Sequence, residues 1–96
     1  MRKSQKSKES KPDNIFRELG FSETESCNLL LRSQLMLATR KAIKAKGLSQ
    51  VDAAKILEVG QPRISNLYNG KIDRFTIDAL VNFLSRLDKK VKIVVE

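Results

Sequence analysis

The sequence predicts an all-α fold, a compact bundle of about five helices that ends in a short C-terminal β-strand. Three observations predict it. Apolar residues recur every three or four positions over most of residues 14–87, and these stretches are bounded by capping and stop residues. Only residues 91–95 change to β-branched, partly alternating residues. Residues 1–13, MRKSQKSKESKPD, hold no large apolar side chain beyond Met1. They cannot bury enough surface to offset the entropy of ordering, so a disordered basic tail is expected there, followed by one domain over 14–96.

The first helix is expected over Asn14–Leu19, entered through Pro12 and Asp13 and stopped by Gly20, with Ile15, Phe16 and Leu19 on its apolar face. Ser22-Glu23-Thr24-Glu25 has the Ser-x-x-Glu spacing of a capping box. Behind it Cys27, Leu30, Leu31, Leu35, Ala38, Ala42 and Ala45 define an amphipathic helix to about Lys46, with a break near Ser33 as an alternative and Gly47 as its stop. Ser49 caps a helix over Gln50–Glu58 with Ala53, Ala54, Ile56 and Leu57 inward. Val59 and Gly60 connect it to a helix over Gln61–Asn69 with Ile64, Leu67 and Tyr68 inward, closed by Gly70. Thr76 caps the last helix, whose stripe is Ile77, Leu80, Val81, Leu84 and Leu87 and whose first turn holds Asp78, a charge that suits the helix dipole.

Composition narrows the function. The 96 residues carry 19 Lys and Arg against 11 Asp and Glu, a net charge of +8. Residues 1–13 hold five basic and two acidic groups, leaving fourteen and nine for residues 14–96, so the domain is basic without its tail. That balance favours a polyanionic partner, nucleic acid before membrane. There is one cysteine, Cys27, and no histidine, which excludes an intrachain disulfide, His-based catalysis and a His-containing zinc site. The longest apolar run, Leu35–Ala38, is far short of a membrane span, and the basic N-terminus lacks the apolar segment of a signal peptide, so a cytoplasmic location is expected. No glycine-rich phosphate loop or spaced carboxylate pair suggests an enzyme. No catalytic residue, cofactor or metal is expected.

The informative stretch is Leu48–Gly70, LSQVDAAKILEVGQPRISNLYNG. Two short helices joined by about three residues, crossing closely over the small Ala54, fit a helix-turn-helix. With Ile64, Leu67 and Tyr68 taken as buried, a 100° wheel places Pro62, Ser65, Asn66 and Asn69 on the opposite side, Arg63 on the flank and Gln61 at the start. Amide and guanidinium forks with short hydroxyls are what reading base edges in a major groove requires.

These residues resemble the XRE (Cro/repressor-type) helix-turn-helix family, with Gln50, Ala54, Ile64 and Leu67 at that family's spacing. The flanks, FRELGF before the motif and GKIDRFTIDALVNFLSRLDKKVKIVV after it, are similar to antitoxins of the HigA type. The resemblance covers about residues 14–96. It implies that Gln50 touches a phosphate, that Gln61, Arg63 and Asn66 lie at or near base edges with Ser65 in support, and that Asn69 and Lys71 grip the backbone. Arg74 is either a further phosphate contact or a loop cap. The family usually has glycine where this chain has Glu58, so Glu58 is expected to accept left-handed geometry at a cost of about 1 kcal/mol or more, unless Gly60 takes up the bend.

The function expected is therefore a sequence-specific DNA-binding regulator, a homodimer on a palindromic operator in double-stranded DNA, and the autorepressing antitoxin of a RelE/HigB-like toxin. The alternative is a protein-binding module, a toxin inhibitor or coactivator-like adaptor, with DNA binding secondary. Val91–Val95 has no second strand in the chain to pair with, so its expected partner is the same strand of a second subunit or the edge of a toxin sheet.

Overall fold

The computed structural model describes residues 12–96, with side chains from Ile15 onward. The tail expected over 1–13 lies outside them, except for Pro12 and Asp13. Five α-helices are present among the described residues: α1 (Pro12–Glu18), α2 (Glu23–Ala45), α3 (Gln50–Leu57), α4 (Gln61–Tyr68) and α5 (Ile77–Arg86), with a single 3-10 turn at Ile72–Arg74. Helix α1 begins two residues earlier than the pattern predicts, because proline's fixed φ suits a first helical position. Helix α2 is unbroken at Ser33.

The chain divides into two units inside α2, between Leu31 and Arg32. In the first, the capping box forms as expected: the Ser22 amide donates to Glu25 Oε1 and the Glu25 amide to Ser22 Oγ, both at 3.1 Å. Phe16 and Phe21 meet edge to face, 6.4 Å between centroids. The apolar stripe starts one residue earlier than the periodicity placed it. Ser26 and Leu29 are buried, while Cys27 and Leu31 are exposed.

The second unit is built around one core. Leu35, Met36, Ala42 and Ile43 of α2 meet Ala53, Ala54 and Leu57 of α3, Ile64 and Leu67 of α4, and Leu80, Phe83 and Leu84 of α5 with Leu87 just beyond it. Phe75 lies among them, 1% exposed and edge-on to Phe83 at 6.3 Å. Thr39 is fully buried because its hydroxyl donates to the Leu35 carbonyl at 2.7 Å. Tyr68 and Ile56, expected inward, stand at the surface, since each flanking helix has only eight residues and its stripe is narrow.

Every helix ends in the same way. An amide just beyond the helix returns to a carbonyl five residues back around a residue with positive φ: Gly20, Gly47, Glu58, Gly70 and Asp88. Two of these are carboxylates, and each has a cation. Glu58 Oε2 lies 3.0 Å from Arg86 Nη1, and Asp88 Oδ2 accepts from Lys46 Nζ at 2.8 Å. The Lys46 ammonium holds the Asp88 carboxyl below its ordinary range. Glu58 takes the left-handed bend itself (φ 59°, ψ 45°), and Gly60 is extended (φ −76°). An exposed ion pair contributes only about 0–1 kcal/mol, comparable with the strain it accompanies. Asparagine adopts this geometry more readily, so Glu58→Asn is expected to stabilise by about 0.5 kcal/mol and raise Tm by roughly 2–4 °C. A Tm equal to or below that of the parent would show that the Arg86 pair outweighs the strain.

The expected C-terminal strand is absent. Residues 89–96 carry no regular structure among the described residues. Val91 packs against the core, but Ile93, Val94 and Val95 are 69%, 80% and 90% exposed. A strand is defined by its ladder, and this segment has no second strand among the described residues to complete one.

Candidate nucleic-acid interface

Ser49 starts the motif by accepting from the Asp52 amide at 3.0 Å, which fixes the first turn of α3 and leaves Gln50 exposed there. Glu58, Val59 and Gly60 turn the chain, and α3 then packs on α4 through Ala53, Ala54 and Leu57 against Ile64 and Leu67. Pro62 sits in the first turn of α4, where no intrahelical donor is needed. That turn contains no acidic residue, and its N-cap, Gly60, supplies no side-chain acceptor. The positive end of the α4 dipole is therefore not neutralised by a side chain of that turn.

The remaining face of α4 is polar. Gln61, Pro62, Ser65 and Asn69 are exposed and Asn66 is half-buried. Asn69 Nδ2 donates to Ser65 Oγ at 3.3 Å, one turn back along the same face. Lys71 and Arg74 follow on the next loop, both exposed; Arg74 Nε is 3.9 Å from Asp73 Oδ2, a loose pairing that leaves its guanidinium largely solvated. The structure thus sets Gln61, Pro62, Ser65, Asn66 and Asn69 along one helix face and Lys71 and Arg74 just beyond its end.

Arg63 departs from this face. Its guanidinium lies over the Phe75 ring, 4.3 Å from the centroid, and Nη1 donates to the Arg74 carbonyl. A cation stacked on a ring is worth about 0.5–1 kcal/mol at a partly exposed site, so this contact holds the loop against the helix. Two further arginines brace the same region. Arg32 Nη1 donates to the carbonyls of Ile72 (3.2 Å) and Phe75 (3.4 Å), and Arg40 Nη1 donates to the Leu67 carbonyl at 3.2 Å, near the end of α4. By periodicity alone Arg32 and Arg40 fall outside the apolar stripe of α2. Their partners are 40, 43 and 27 residues away, and no local pattern carries that information.

Among the described residues no cluster of His, Cys, Asp or Glu could hold a metal ion, and no helix is long and apolar enough to cross a membrane. Cys27 is a free, exposed thiol.

Residues 15–96 match the helix-turn-helix domain family. A solved structure described as an XRE family transcriptional regulator superposes with a TM-score of 0.68 at 33% identity, covering 72% of this chain and 78% of that one. No curated protein matches the chain.

Proposed function

The chain belongs to the helix-turn-helix domain family, among XRE-type transcriptional regulators, and from that premise we propose that it is a sequence-specific repressor that lays α4 in the major groove of its own operator. The observation that carries this reading is the free polar face of α4 on a basic domain. Gln61 and Asn66 present amide forks for base edges, and Ser65 and Pro62 are short enough to allow close approach. Gln50, Asn69 and Lys71 meet phosphates and set the register, while Arg74 adds a solvated cation from the loop. Arg63 supports the reading helix through Phe75 and the loop backbone.

One recognition helix reads only a few base pairs, so useful specificity calls for a homodimer on a palindrome. The flanking segments, similar to HigA-type antitoxins, favour a repressor that also masks a RelE/HigB-like toxin. The exposed, β-branched Ile93–Val95 is consistent with either role, because an apolar segment without a ladder can add to the same segment of a second copy or to the edge of a toxin's sheet.

A binding selection on randomised duplexes, repeated over a salt series, tests the reading. If a dimer neutralises about eight phosphates, log K should fall against log salt with a slope near −7. Gln61→Ala and Asn66→Ala should each cost about 1–3 kcal/mol on the preferred site and relax one base position, whereas Gln50→Ala should weaken all sequences alike. Affinity indifferent to salt, or an unchanged consensus from both α4 variants, would sink the operator reading.

A further inference from the structure

Beside the C-terminal end of α4 runs an open groove of about 520 Å³ whose cationic wall is Arg40, Lys41 and Lys44 of α2 and whose opposite wall is Tyr68 and Asn69. No carboxylate lines it. Arg40 is fixed there by its bond to the Leu67 carbonyl, and Arg40 and Lys44 are one helical turn apart, a like-charge spacing that is repulsive unless an anion intervenes. Lys41 and Lys44 are exposed and have no ion pair among the described residues. The groove is also continuous with the reading face, because Asn69 belongs to both.

We propose that this groove is a second track for the DNA backbone, outside the helix-turn-helix itself: Lys41 and Lys44 hold successive phosphates that flank the bases read by α4. This rests on the operator-binding reading above. Asn69 marks where the strand leaves the reading face, and the groove continues its path. Side chains three positions apart on a helix have Cβ atoms about 5–6 Å apart, a separation that lets two lysines serve neighbouring charges of one strand. The occupant is duplex backbone rather than a small anion because the cations line an open groove leading away from the reading face.

The test uses the full chain and its selected operator. Lys41→Gln/Lys44→Gln should make the salt slope shallower by about 0.9 for each phosphate lost, near 1.8 per protomer, with the base consensus unchanged. Ethylation interference should lose its signal at the flanking phosphates and keep it at those beside Gln50. Both lysines are exposed, so the thermal midpoint should stay at the parent value, which separates lost contacts from lost fold. An unchanged slope and an unchanged interference pattern in a folded double variant would overturn the groove assignment while leaving the operator reading intact. A parent protein with no salt-linked, sequence-dependent binding would remove both. Protection of the Lys41–Lys44 amides by inorganic phosphate, with an operator slope equal to the parent's, would assign the groove to a free anion and also overturn the proposal.

Discussion

Phe75→Ala is expected to destabilise the domain by about 3–5 kcal/mol, a large share of the roughly 5–15 kcal/mol that holds a small domain folded. The ring is 1% exposed, meets Phe83 edge-on and carries the Arg63 guanidinium on its face. Removing it leaves a cavity in the core, and the loop loses its anchor in the same step. Chemical denaturation checks the magnitude, with a loss below about 1.5 kcal/mol as the result that would contradict it. Phe75→Leu separates the two roles. It keeps most of the buried volume at a cost of about 1–2 kcal/mol but offers no π face to Arg63. Operator affinity should then fall evenly across sequences, because the loop bearing Lys71 and Arg74 is no longer held against α4. In a double-mutant cycle, Arg63→Ala and Phe75→Leu should couple by about 0.5–1 kcal/mol in stability. Strict additivity would mean that the stacking does not brace the loop. A change of base preference with Arg63→Ala would return Arg63 to the set of readers.

What was legible in the sequence was local. Ser22, Ser49 and Thr76 each accept from an amide three residues on, so the starts of α2, α3 and α5 could be read from a few consecutive letters. The polar face of α4 could be read because Ile64 and Leu67 fix the phase of an eight-residue helix, although Tyr68, taken as buried with them, stands at the surface. The phase of α2 did not follow, because Leu29-Leu30-Leu31 offers apolar side chains in three directions and only packing selects among them. The left-handed bend could be foreseen only as a conflict: a residue with Cβ stands where the turn needs positive φ, and Glu58 adopts it beside Arg86. Phe75 gave no periodic signal, being a lone aromatic between a polar loop and a helix cap. Without it Arg63 reads as one more polar residue on the flank of α4, whereas its position over the ring depends on a contact across twelve positions.

A chain ending at Lys92 is expected to lose dimerisation and, with it, operator affinity by about a hundredfold or more, because linked half-sites gain roughly 10²–10⁴ over either alone. Val91 is retained in this truncation because it packs against the core, so the helices should keep their ellipticity. The four residues removed include the three consecutive apolar side chains left almost wholly in solvent, Ile93, Val94 and Val95. Exposed, unpaired β-formers are costly for a lone subunit, and the simplest cover is the same segment of a second copy, antiparallel across a two-fold axis. Such a ladder would satisfy the backbone groups that have no partner strand among the described residues. It would also fix the separation of the two α4 helices, which must match the spacing of half-sites on one face of the duplex. Lys90 and Lys92 precede the segment, and charges beside an exposed strand edge disfavour further strand addition. Sedimentation and operator titration of the truncated chain should therefore fail together. Should it sediment as a dimer and hold its operator at full affinity, the segment plays no part in self-assembly. Its exposed side chains would then be left for a different protein's sheet edge.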